Sequence, residues 1–162
     1  QKIKIDFNAF LGKRHTNTTS NYLNLKLNTN YLFHFSDRVQ SNLNTENNYL
    51  FNDNLKENEM IFFGGTNSMK GFLEDQFTAT KLHILGIDLN YKLDQNMNTN
   101  IFYQKCFYEN GGNYSQLNSV GVGFDLRNNS RIVYLQYAIG ISENQSFNFE
   151  NGKIHIGLKN TF

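Results

Sequence analysis

Apolar and polar residues alternate along most of this chain with a period of two. From Lys2 to Leu11, Ile3, Ile5, Phe7, Ala9 and Leu11 share one parity, and Lys2, Lys4, Asp6 and Asn8 share the other. Successive side chains of a strand point to opposite faces, so this pattern predicts a strand with one apolar and one polar face. Gly12 to Ser20 is polar and reads as a turn-like stretch. Asn21 to Phe35 carries the clearest alternation, with Leu23, Leu25, Leu27, Tyr31, Phe33 and Phe35 against Asn24, Lys26, Asn28, Asn30 and His34. At about 15 residues it is longer than the 5–6 or so of an ordinary soluble strand and long enough for the 9–11 or so of a tilted bilayer-spanning one. Ser36-Asp37 reads as a turn. Arg38 to Phe51 alternates more weakly, with Val39, Leu43, Tyr49 and Phe51 on one parity.

The second half repeats the pattern. Thr80 to Leu93 sets Leu85, Ile87, Leu89, Tyr91 and Leu93 against Asp88, Asn90 and Lys92. Leu82 and Ile84 break the parity there, which predicts a bulge near Leu85. Asp94-Gln95-Asn96 reads as a turn. Met97 to Glu109 is apolar on both parities, so its faces stay unassigned. Asn110-Gly111-Gly112-Asn113 is a turn. Gln116 to Arg127 sets Val120, Val122, Phe124 and Leu126 against Ser119, Gly121, Gly123 and Asp125, and Asn128-Asn129 follows as a tight hairpin. Arg131 to Ser142 is a strand with Tyr137, Ile139 and Ile141 on one face. Glu143 to Gly152 is a loop. The last strand runs from Lys153 to Phe162, with Ile154, Ile156, Leu158 and Phe162 against His155, Gly157, Lys159 and Thr161. The expectation is an all-β chain forming one domain over residues 1–162, with about eight antiparallel strands and no helix.

Composition narrows this. Of the 162 residues, 39% are hydrophobic and 15% aromatic, and the mean hydropathy is −0.55. No stretch approaches the roughly 18 apolar residues of a spanning helix. A membrane barrel remains compatible, because its alternating strands average out to polar. Asn is abundant but interleaved with Leu, Ile, Tyr and Phe, which is unlike a low-complexity tract. The net charge of +1 gives no polybasic signal for nucleic acid, and no nucleic-acid partner is expected. Cys106 is the sole cysteine, so no internal disulfide can form. His15, His34, His83 and His155 lack metal-ligand spacing, and no metal, cofactor or catalytic residue is expected. No Gly-x-Ser-x-Gly elbow is present. No signal-peptide pattern precedes the strand that begins directly after Gln1, as expected of a processed chain or a fragment.

One segment follows neither period. Asn52 to Glu59 is polar and leads into Phe62-Phe63-Gly64-Gly65-Thr66-Asn67-Ser68-Met69-Lys70-Gly71-Phe72-Leu73-Glu74-Asp75-Gln76-Phe77, and the loop as a whole covers about 52–78. Gly64-Gly65 and Gly71 admit backbone angles that a Cβ disfavours. So many Phe, Met and Leu side chains would form an exposed apolar patch if the loop lay bare, so it is expected to fold back against something. A phosphate-cradling loop needs a helix N-terminus, and no helical pattern follows Gly71.

In these residues the chain resembles the BamA/TamA superfamily of outer-membrane barrels, the bacterial surface antigen family. That family's inward-folded loop has the motif Gly-Gly-x-x-Ser-apolar-Arg-Gly-Phe/Tyr. Gly64, Gly65, Ser68, Met69, Gly71 and Phe72 match it, and Lys70 stands where the family has arginine. The closing strand of such barrels is similar to Lys153–Phe162, where Gly157, Leu158 and Phe162 resemble the C-terminal barrel signal; Asn160 departs from it. The resemblance implies a transmembrane antiparallel barrel of which this chain is the C-terminal half, about eight strands of roughly sixteen, with the loop in the lumen. It implies that acids on the next two strands receive the loop cation. Asp88 matches the first, and Gln104 stands at the second. Lysine, a point charge, suits one fewer acid better than a bidentate arginine fork.

The implied setting is the bacterial outer membrane. The implied activity is insertion and assembly of other outer-membrane proteins, or protein translocation, through a weak seam between the first and last strands. The implied partners are outer-membrane lipid, client proteins, and a partner chain or second copy supplying the missing strands. The lipid-facing set expected from parity includes Leu23, Leu25, Leu27, Phe33 and Phe35. A plain structural or pore-forming barrel is the alternative, and a soluble β-protein is a third; a need for detergent separates the soluble case from the other two.

Overall fold

The computed structural model describes residues 2–15, 19–52, 55–128 and 131–160. Its strands are β1 (Lys2–His15), β2 (Thr19–His34), β3 (Val39–Phe51), β4 (Ile61–Phe63), β5 (Phe77–Ala79), β6 (Lys81–Asp94), β7 (Met97–Asn110), β8 (Asn113–Asn128), β9 (Arg131–Ile141) and β10 (Lys153–Asn160). Eight of them form one antiparallel sheet in the order β1-β2-β3-β6-β7-β8-β9-β10, and β4 and β5 form a separate ribbon. The described residues hold no α-helix, only the single 3₁₀ turns Glu57–Glu59 and Phe149–Asn151. The sheet is open: β1 and β10 are its two edges.

Turn chemistry joins the strands. Between β2 and β3 the Ser36 hydroxyl accepts hydrogen bonds from the backbone N–H groups of Arg38 and Val39. Between β7 and β8, Gly111 and Gly112 both take positive φ, at 57° and 85°, which the mirror-image hairpin turns require. The two long connections, between β3 and β6 and between β9 and β10, leave the sheet at the same end, because each follows a strand of like direction.

Register sorts the side chains into two faces. Asn42 pairs with Asp88, Asp88 with Phe102 and Phe102 with Gly121; Leu43 pairs with Ile87, Ile87 with Tyr103 and Tyr103 with Val120. The first row belongs to a face rich in Asn, Asp, Lys and Gly. The second belongs to an apolar face on which Ile87, Leu89, Ile101, Val122, Leu135, Ile156 and Leu158 are exposed. On the polar face, the strand glycines Gly86, Gly121, Gly123 and Gly157 lie beneath the side chains of their paired residues Asn44, Phe102, Asn100 and Tyr134. A Cβ at any of these four would collide with that neighbour.

Several expectations need correction. β1 continues through the supposed turn at Gly12 to His15, and β2 starts at Thr19. No bulge occurs near Leu85, since the β3–β6 and β6–β7 registers both run unbroken through it; the irregularity falls between Lys92 and Asp94. Leu82 and Ile84 break the apolar parity because their polar-parity positions are covered by the intervening loop. The same cover explains why Met97 to Glu109 is apolar on both parities: Phe102 and Cys106 are buried on the loop side, while Ile101, Tyr103 and Phe107 are exposed on the other. The segment read as unpatterned loop holds the β4–β5 ribbon. Phe35 lies past the end of β2, beside Phe33 at a ring separation of 4.7 Å. Ile139, of apolar-face parity, is buried, and the segment after it folds back so that the Tyr137 hydroxyl donates to the Phe149 carbonyl. Phe162, Thr161 and Asn129 lie outside the described residues.

The buried core sits between the loop and the polar face, at the end where the loop leaves the sheet. Phe63, Met69, Phe72 and Ala79 come from the loop and its ribbon, and Leu82, Ile84, Cys106 and Leu117 from β6, β7 and β8. Burying side chains of this size stabilises by about 1.5–3 kcal/mol each, so the loop is part of the packed structure.

Candidate functional site

The site is the loop between β4 and β5 and the strands beneath it. The ribbon closes the loop by pairing Ile61 with Ala79 and Phe63 with Phe77. Thr80 then anchors it to the main sheet, its N–H donating to the Glu109 carbonyl while its own carbonyl accepts from the Leu50 N–H. Four rings lock this base: Phe63 contacts Phe77 and Tyr108 at 5.4 and 5.1 Å between centroids, and Phe72 meets Phe77 edge-on at 5.1 Å.

The glycine motif shapes the tip. Gly64 and Gly65 have φ of 128° and 78°. The Ser68 hydroxyl spans the turn they make, accepting from the Gly64 N–H at 2.7 Å and donating to the Gly64 carbonyl at 2.9 Å. The Glu74 carboxylate lies over Gly65, where a Cβ would stand, and accepts from the Thr66 N–H at 2.7 Å. Met69 and Phe72 are buried in the core. Gly71, with φ of 83°, presses against β9: a Cβ there would stand 2.5 Å from the Gly140 nitrogen. The Phe72 ring lies over Gly140 in turn, 2.6 Å from where its Cβ would be.

Lys70 is held from several sides. Its ammonium lies 3.7 Å from Asp88 Oδ1 and 4.1 Å from the centroid of the Phe102 ring. The side chains of Lys70 and Asp88 are only 16% and 14% exposed. A lysine charge so withdrawn from water needs an opposite charge and a polarisable neighbour to offset its desolvation. Asp88 is positioned by Asn44 of β3, whose Nδ2 donates to Oδ2 at 3.0 Å. The Lys70 charge also acts on Asp125 of β8. Gln104 takes a different part from charge pairing. Its Oε1 accepts from the Lys70 backbone N–H and its Nε2 donates to the Ser68 carbonyl, both at 2.9 Å. One amide thus satisfies a donor and an acceptor of the buried loop, which a carboxylate could not do.

The last strand joins the site through a residue that sequence reasoning set aside. His155 of β10 accepts from the Gly71 N–H at Nε2 and lies 3.1 Å from the Thr66 hydroxyl at Nδ1. Gly140, Phe102, Asn44 and Asp125 were also not singled out as site residues. Their shared signal is parity: each occupies the same face as Asp88 and Gln104, and the pairing that reveals this is long-range. Of the C-terminal residues, Gly157 provides room for the Tyr134 phenol on the polar face and Leu158 is exposed on the apolar face. Neither touches the loop motif through a hydrogen bond given by the structure. No protein-family model, curated protein or solved structure matches this chain.

Proposed function

We propose that this chain is an outer-membrane barrel module of the BamA/TamA type, acting in the insertion and assembly of outer-membrane proteins or in protein translocation. The observation that carries the reading is one arrangement. A Gly-Gly…Lys-Gly-Phe loop is docked on the polar face of an antiparallel sheet, and the opposite face is an exposed apolar belt. In a membrane barrel the belt faces lipid and the polar face lines the lumen. On this reading the loop lies in the lumen, with Lys70 against Asp88 and Gln104. The edges β1 and β10 then meet a partner chain, a second copy or further strands, because unpaired edges are not tolerated in hydrocarbon. Client strands would pair at the seam beside β10, and no enzymatic step is involved.

A second reading, a structural or pore-forming barrel, is favoured by the polar cleft beside the loop. The cleft measures about 570 Å³, and its walls include Lys4, Asp6, Asn28, Asn44, Glu46 and Lys70. The two readings separate in proteoliposomes, by following the folding rate of an unfolded outer-membrane barrel supplied from outside. Insertase activity predicts faster folding than in empty vesicles, with the gain lost in Lys70→Ala and kept in Lys92→Ala. Folding at the empty-vesicle rate together with ion conductance would instead establish the pore.

A further inference from the structure

We propose that His155 is a pH-sensitive latch fastening the loop to the last strand. The geometry fixes the ring's proton. Because the Gly71 N–H donates to Nε2 at 3.1 Å, that nitrogen carries no hydrogen. A neutral imidazole must then hold its proton on Nδ1, which lies 3.1 Å from the Thr66 hydroxyl and donates to it. One ring thereby grips the loop at two points five residues apart, on either side of Lys70. Protonation puts a hydrogen on Nε2 facing the Gly71 N–H, and two donors in opposition repel. The latch exists with the neutral ring and is lost as the pH falls far enough to protonate it.

The surroundings favour a switch over simple collapse. From the loop, Glu74 and Lys70 act on the ring with opposite signs, and Glu74 already accepts from the Thr66 N–H, beside the ring's second contact. A charged ring therefore finds a carboxylate nearby when it gives up Gly71. From β9 it faces Gln136, its paired residue, flanked by Tyr134. Lys153 and Lys159 share its face of β10. Gly71 also presses on Gly140 of β9, so releasing its N–H loosens a close approach between loop and sheet. β10 pairs on one side only, with β9, so the latch couples the loop to the sheet's free edge. The latch is independent of the membrane reading above.

Nitrogen-resolved NMR of the histidine rings and amide exchange of the full chain, in whatever medium keeps it folded, test the latch. At about pH 8 the His155 ring is expected as the Nδ1–H tautomer with the Gly71 amide protected. As the pH is taken from about 8 down to about 4, the protection factor of Gly71 should fall at least roughly tenfold. The Lys70 amide, held by Gln104, is the internal control and should stay protected. His155→Gln can accept and donate at the same two points, so it should protect Gly71 at both pH values, while His155→Ala should protect it at neither. An Nε2–H tautomer at about pH 8, acid-insensitive Gly71 protection in the wild type, or equal loss at Gly71 and Lys70 in wild type and His155→Gln alike would each overturn the proposal.

Discussion

Gly140 lies on the polar face of β9 with no hydrogen-bonding side chain of its own, yet two backbones meet there. The Gly71 carbonyl oxygen and the Phe72 ring would stand 2.7 and 2.6 Å from a Cβ at this position. Neither can withdraw cheaply: Gly71 is fixed by its positive φ and by His155, and Phe72 is buried in the core. Gly140→Ala is therefore expected to lift the loop from β9 at a cost of about 1–3 kcal/mol, in the range seen for overpacked sites. Limited proteolysis within Thr66–Gln76 and a chemical unfolding curve would register it. Gly112→Ala is the useful comparison, because nothing lies within 4 Å of its Cβ position and only its turn φ is disturbed. If Gly140→Ala leaves both cleavage rate and midpoint unchanged, the loop does not depend on this close approach.

The strands carry the membrane question. Leu89, Ile101 and Val122 pair across β6, β7 and β8 on the apolar face, and all three are exposed. Further along the same strands, toward the loop end, that face becomes polar at His83, Lys105 and Asn118. A charge within the apolar rows should destabilise the protein in a bilayer by about 2–4 kcal/mol, whereas one near an interface should do so by about 0–1 kcal/mol. Val122→Arg and Asn118→Arg make the contrast on a single strand. Folding titrations in lipid vesicles are expected to show the first large and the second small. Equal small effects would mean that this face meets water, and the soluble alternative would replace the barrel. Loop-side changes such as Leu82→Ala act by a separate route, through a cavity in the core, at about 2–5 kcal/mol.

At the scale of the whole molecule, the open sheet and the docked loop constrain each other. An eight-stranded barrel has an interior just wide enough for its own side chains. Here the polar face carries Phe63, Met69, Lys70 and Phe72 in addition, all packed against it. Rolling the sheet until β1 met β10 would force that layer out. The chain in detergent is therefore expected either to associate or to leave its edges for added strands. Native mass spectrometry, with amide exchange along β1 and β10, measures this. A monomer with both edges protected and the loop cleavable would show that the eight strands close alone.

Period two was enough to give the sheet. Alternation in Ile3–Leu11, Leu23–Phe35 and Val120–Leu126 set which residues share a face, because strand geometry is local and admits one parity. The loop's glycines and apolar residues were legible for a similar reason, and the pairing of Lys70 with Asp88 was what the resemblance of the loop motif implied. What sequence could not decide was anything that depends on which strand lies beside which. Leu82, Ile84, Phe102 and Cys106 looked like broken parity because their otherwise polar face is covered there by a segment close in sequence but folded back over the sheet. His155 looked like an isolated strand histidine, since 84 residues separate it from the Gly71 N–H it receives. Gly140 drew no reading of its own in the sequence, and Gly71 and Phe72 of the loop rest on it. Local sequence determines a face; only tertiary packing determines what stands on it.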